Sequence, residues 1–111
     1  MTATEVGQTI DASHEAHLTW RQTDFGQRAS RLDDAAALLR DRRESLAQLM
    51  TREMGKPIAQ SRAEIDKCAW VCKYYAENAR DFLAPELVET DATRSFVAFE
   101  PLGAVLAVMP W

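Results

Sequence analysis

Cys68 and Cys72 lie four residues apart, and His14 and His17 three apart, so each pair shares one face of any helix that carries it. The four side chains together have the types that ligate zinc. Structural zinc sites, however, take their close pairs from turns or knuckles, and nothing in the sequence brings these two pairs together. The spacing instead suits cysteines packed in a core and histidines in solvent, so no metal ligand is assigned. A disulfide within the cysteine pair is disfavoured by helical geometry. Arg40, Asp41, Arg42, Arg43 and Glu44 mix both signs of charge and read as a solvated helix face. Trp70, Tyr74 and Tyr75 fall at helical spacing and read as partial core rather than a recognition surface. There is no glycine-rich phosphate loop, paired catalytic carboxylate or nucleophile elbow, so no catalytic residue is assigned.

The elements that must position these residues are mostly helical. Residues 1–12 are polar and expected to be flexible. A short helix is expected over 12–22, with Ala16 and Trp20 on one face and His17 beside them. Asp24 with Gln27 has the spacing of a capping box and opens a long helical pattern. In it Ala29, Leu32, Ala36, Leu39, Leu46 and Met50 make one apolar stripe, interrupted at Arg43. Ser45 and Gln48 repeat the capping spacing, which predicts a break or kink over 41–45. Gly55 suits the position just past a helix end, and Pro57 can open the next helix.

That third helix is expected over 57–82. Its stripe is Ile58, Arg62, Ile65, Ala69, Cys72, Ala76, Ala79 and Leu83, with Arg62 the one polar member. At ~1.5 Å per residue it would be ~39 Å long, against a radius of gyration of ~13 Å for a compact chain of this size. Such a helix should lie on another surface. Residues 85–93 read as an acidic loop, and 95–100 as a strand with Phe96 on one face and Val97 and Phe99 on the other. Pro101, Leu102 and Gly103 make a turn. The apolar run 104–109 does not alternate, which suits a strand covered on both faces of a parallel sheet. No other segment looks able to build that sheet, so the chain reads as a piece of something larger.

Composition narrows the class. The chain has 111 residues, 47% hydrophobic and 27% charged, the size and balance of one globular domain. A net charge of −4 with interspersed signs offers no basic stripe to nucleic acid. The longest apolar run falls far short of the ~18 residues a membrane helix needs, and residues 1–10 lack a secretory pattern. Two cysteines without an export signal point to a reducing cytoplasm.

Several segments in order resemble the N-terminal portion of the aldehyde dehydrogenase superfamily. They are Trp20-Arg21-Gln22-Thr23, Arg28-Ala29 with Leu32, Glu53-Met54-Gly55-Lys56-Pro57, and Glu64-Ile65-Asp66-Lys67-Cys68-Ala69. Tyr74-Tyr75-Ala76, Glu100-Pro101-Leu102-Gly103 and Met109-Pro110-Trp111 follow. The wording around Lys67-Cys68-Ala69-Trp70 and Glu89-Thr90-Asp91 most resembles bacterial succinate-semialdehyde dehydrogenases.

The resemblance implies an α/β parent of Rossmann-like fold, of which this chain is a mostly α-helical fragment with a C-terminal β-hairpin strand and one buried strand. Residues 13–111 would belong to the cofactor-binding domain, with 94–101 contributing to the oligomerisation hairpin of a homodimer or homotetramer. The implied reaction oxidises an aldehyde substrate to an acid with NAD or NADP, through a thiolate nucleophile, oxyanion donors and a water-activating glutamate. The family's nucleophile and glutamate lie downstream, and Cys68 and Cys72 do not match the nucleophile's motif. Pro110 and Trp111 match a cofactor-contacting segment whose following Asn, an oxyanion donor, is absent here. The family's third helix borders the aldehyde channel, which would bring Lys67 toward substrate. A competing reading is a self-contained helical interaction module that dimerises through its apolar helix faces.

Overall fold

The computed structural model describes residues 1–109. The described elements run α1 (Ala3–Trp20), α2 (Phe25–Asp41), α3 (Arg43–Met54), α4 (Ile58–Phe82), β1 (Glu86–Leu87) and β2 (Phe96–Val97). They fall into two units, one spanning Asp24–Leu83 and the other joining Met1–Thr23 to the residues from Ala84 onward.

The Asp24–Leu83 unit is a three-helix assembly. The Asp24 carboxylate accepts the Gln27 amide at 2.8 Å, and the Gln27 side-chain oxygen accepts the Asp24 amide at 3.1 Å. Two donors that the first turn leaves without helical partners are thereby satisfied, as the spacing predicts. Asp24→Ala is expected to cost about 1 kcal/mol, read as a lowered thermal midpoint of the chain; an unchanged midpoint would mean that the cap contributes nothing.

The helical run breaks at Arg42, within the expected interval, and restarts as α3. Ser45 does not cap it. Its hydroxyl donates to the Arg42 carbonyl at 2.9 Å, and Gln48 turns to Glu44. The Arg42 amide still reaches the Leu38 carbonyl at 2.9 Å, so the hydrogen bonding of α2 runs up to the residue at which α3 restarts, and α3 starts with no side-chain cap. Gly55 ends α3 at φ 68°, a left-handed conformation that a side chain would strain. Pro57 stands as the cap of α4, and its carbonyl accepts the Gln60 and Ser61 amides.

α4 packs against both α2 and α3. Its buried positions are Ser61, Ile65 and Ala69, facing Ala36 of α2 and Ala47 of α3 as the other buried members of the unit. Leu32, Leu39, Leu46, Cys72 and Ala76 keep to the stripe but are only half-buried, and Leu83 is exposed. Small residues at the centre let the helix backbones approach closely, so the core is thin. Ser61 is completely covered, and its hydroxyl pairs with that of Thr51 at 3.0 Å, so the one buried polar side chain among the described residues is satisfied.

In the other unit α1 starts at Ala3, so residues 3–12, expected to be flexible, are helical, and the helix expected over 12–22 ends at Trp20. The cause is a second capping box: the Glu5 carboxylate accepts the Thr2 amide and the Thr2 hydroxyl accepts the Glu5 amide. Polar composition concealed it. β1 and β2 pair antiparallel, Glu86 opposite Val97 and Leu87 opposite Phe96. The expected loop at 85–93 therefore begins with a strand, and the strand expected over 95–100 shortens to the two residues that find a partner. Residues 104–109 form no strand, and Val105, Leu106, Val108 and Met109 are exposed. A strand exists through its ladder, and no neighbour is offered to this run among the described residues.

Candidate functional site

α4 carries most of the chain's chemistry. Its buried line through Ser61, Ile65 and Ala69 puts Cys68 about 100° round the helix from Ala69. Cys68 is thus exposed and Cys72 half-buried, both as free thiols, which corrects the expectation that both pack in a core. With Ala63, Glu64, Lys67 and Val71 they line an open depression of about 670 Å³. Glu64 is bonded to Lys56 across the turn that precedes α4.

The aromatic residues of α4 also differ from expectation. Trp70 and Tyr74 stack with centroids 5.5 Å apart, and Phe82 lies 5.9 Å from Tyr74. Trp70 is 58% exposed and Tyr75 49%, so these rings form an outer ladder rather than partial core. At the far end of α4 a cavity of about 430 Å³ is lined by Phe25, Arg28 and Leu32 of α2 and by Tyr75, Ala79 and Arg80 of α4, among others.

Two fork-to-fork ion pairs tie α3 to α4. Arg43 donates through Nε and Nη2 to the two Asp66 carboxylate oxygens at 2.7 and 2.8 Å. Arg62 donates through the same pair of nitrogens to Glu44 at 2.9 and 2.7 Å. The 40–44 cluster is therefore not merely a solvated face. Arg62 on the apolar stripe was the sequence signal, since a cation there needs an anion from the facing helix. Lys73 adds a contact from α4 to Asp33 of α2 at 3.1 Å.

The hydrogen bonds from Arg62, then Gln48, hold the Glu44 carboxyl at about 2, below its ordinary 4.5, and Arg43 lowers Asp66 likewise. A carboxyl lowered by folding contributes stability in full above its unfolded value and loses it as pH falls toward the folded one. The helical signal is expected to weaken between pH 4.5 and 2, less steeply in Glu44→Gln. Added salt should shrink the difference, because the pair is exposed. Equal acid profiles for the two proteins would show that the pair has no part in it.

His14 is exposed and His17 half-buried on α1, where His17 lies beside Gly103, whose φ is 107°. Among the described residues no group of three or more His, Cys, Asp or Glu is placed to hold a metal. No described helix is long and apolar enough to cross a membrane.

A dinucleotide needs a phosphate cradle, usually the open N-terminus of a helix that follows a strand of a parallel sheet. The described residues do not fit one. Capping boxes containing Glu5 and Asp24 fill the starts of α1 and α2, and Glu44 sits in the first turn of α3. α4 opens at Pro57 after a helix rather than a strand, and the only sheet among the described residues is the antiparallel pair. Pro110 and Trp111, expected to touch a cofactor, lie outside the described residues.

The sequence matches the aldehyde dehydrogenase family over residues 1–111. It is 50% identical over 107 residues to a Synechocystis protein named "Probable succinate-semialdehyde dehydrogenase [NADP(+)]", covering 96% of this chain and 24% of that protein. It is 38% identical to an Escherichia coli succinate semialdehyde dehydrogenase [NAD(P)+], covering 98% of this chain and 24% of the relative. The fold superposes on the crystal structure of succinic semialdehyde dehydrogenase from Streptococcus pyogenes in complex with NADP+. That match has a TM-score of 0.80 and 32% identity, over 86% of this chain and 21% of the other. The chain thus spans about a quarter of the length of the curated relatives it matches.

Proposed function

Because the chain belongs to the aldehyde dehydrogenase family, we propose that it supplies the N-terminal quarter of an enzyme that oxidises succinate semialdehyde to succinate with NADP. The observation that carries this reading is the 50% identity, over nearly the whole chain, to a protein bearing that name and cofactor. NAD is the second candidate, since the Escherichia coli relative is named for either nucleotide. The nucleotide, when bound, accepts the hydride. The thiolate nucleophile, the water-activating glutamate and the phosphate cradle are assigned to sequence beyond this chain, and no step is assigned to Cys68 or Cys72.

Within this reading the chain is a scaffold. α2, α3 and α4 form one clamped layer, and the β1–β2 pair is the part of segment 94–101 and its partner offered to oligomerisation in a homodimer or homotetramer. Lys67 is exposed on α4, and its proposed part is to attract the far carboxylate of a semialdehyde, the alternative being a lysine that only meets solvent. The competing reading, a separate helical module that pairs through apolar faces, would use the exposed rings of α4; the family match over the whole chain favours the enzyme.

The test is a reduced-nicotinamide absorbance assay on the longer protein that contains this chain. NADP reduction that depends on succinate semialdehyde is expected, and Lys67→Met should lower kcat/KM for that substrate more than for an uncharged aldehyde of the same length. Turnover confined to uncharged aldehydes would overturn the substrate assignment. Equal losses on both substrates would remove Lys67 from it.

A further inference from the structure

The thiols of α4 have no part in the proposed reaction, and their placement has a chemistry of its own. Cys68 and Cys72 are free, four residues apart on one helix, and open to the same depression. Side chains at this spacing have Cβ atoms ~5–6 Å apart. Two metal–thiolate bonds of the length found for zinc, ~2.3 Å, set end to end span ~4.6 Å, close to that Cβ separation. A disulfide, with Cβ atoms ~3.8 Å apart, fits the same turn poorly.

We propose that Cys68 and Cys72 form a linear, two-coordinate site for a soft monovalent cation, Cu(I). The ligand set selects the ion. Thiolates favour soft metals, and among the described residues no third or fourth His, Cys, Asp or Glu is placed to complete a tetrahedral zinc site. Glu64 on the rim is engaged by Lys56, so the one carboxylate of the depression is already paired. Ala63 and Val71 make the wall apolar, which disfavours hydrated hard cations. A cuprous bis-thiolate carries a net negative charge, and Lys67 on the same rim offsets it. In the binding step each thiol releases its proton to solvent, two sulfur–copper bonds form, and copper stays in its monovalent state. Affinity therefore rises with pH. The inference does not depend on the enzyme reading.

The experiment is an anaerobic titration of this chain with Cu(I) presented as its bicinchoninate complex. One copper per chain should leave the chelator, with a new ultraviolet thiolate-to-copper absorption, and more copper should transfer at higher pH. Cys68→Ser and Cys72→Ser should each fail to compete at the same chelator concentration, while retaining the helical circular dichroism of the parent chain. Should a serine variant lose helicity, the corresponding alanine variant replaces it, alanine being the better helix former. Copper held equally well by either single variant, a stoichiometry well below one, or zinc bound as tightly as Cu(I) would overturn the site.

Discussion

Ile65→Ala is expected to destabilise the Asp24–Leu83 unit by about 2–5 kcal/mol, the range for removing three buried carbons from a packed site. Ile65 is 6% exposed and is the only large side chain among the buried residues described, the others being alanines and one serine. The unit has little else to close over the space left behind, because Leu32, Leu39 and Leu46 are half-buried along the flank. Denaturant unfolding followed by circular dichroism measures the loss. A midpoint within experimental error of the parent chain would mean that α4 is not held by this contact. By the same reasoning Leu39→Ala should cost less than Ile65→Ala, since part of the Leu39 side chain already meets water.

Ala69→Leu is expected to destabilise by about 1–3 kcal/mol through the opposite fault. Ala69 and Ala47 have no exposed surface and Ala36 has 1%, so at the centre of the unit there is no room for longer side chains. A leucine there must push α4 away from its neighbours or adopt a strained rotamer. Displacement would also stretch the paired forks of Arg43–Asp66 and Arg62–Glu44, whose geometry depends on the spacing of α3 and α4. Ala69→Ser, nearly the same size, separates crowding from polarity. If leucine is tolerated as well as serine, the close approach is not a packing constraint.

The helical part of this architecture was legible because three signals agreed over α2, α3 and α4: apolar positions three and four apart, the Asp24–Gln27 cap, and Gly55 with Pro57 between helices. α1 was misplaced because nothing in α1 is buried, so its start is written only in Thr2 and Glu5. Periodicity also could not separate the centre of a stripe from its flank, and a shift of one residue decides between Ala69 in the core and Cys68 in the open. The interhelix forks were hidden for a different reason. Arg43 and Arg62 announce a missing partner, but which anion answers depends on how two helices cross. The strands depended most on neighbours, and 104–109 shows that β-favouring residues alone make no sheet.

The site was legible mainly as family texture. Motifs such as Glu53-Met54-Gly55-Lys56-Pro57 place the chain in its family, yet in the structure they serve as a helix end, a turn and a bond from Lys56 to Glu64. These motif residues therefore build the layer, whereas the groups that would do the chemistry are assigned elsewhere.

The central claim is that this chain carries scaffold and no cofactor cradle. Calorimetric titration of the chain with NADP, repeated with NAD, tests it most directly. The account predicts no saturable heat with either nucleotide and no aldehyde-dependent reduction. Micromolar binding of NADP by the chain alone would contradict it.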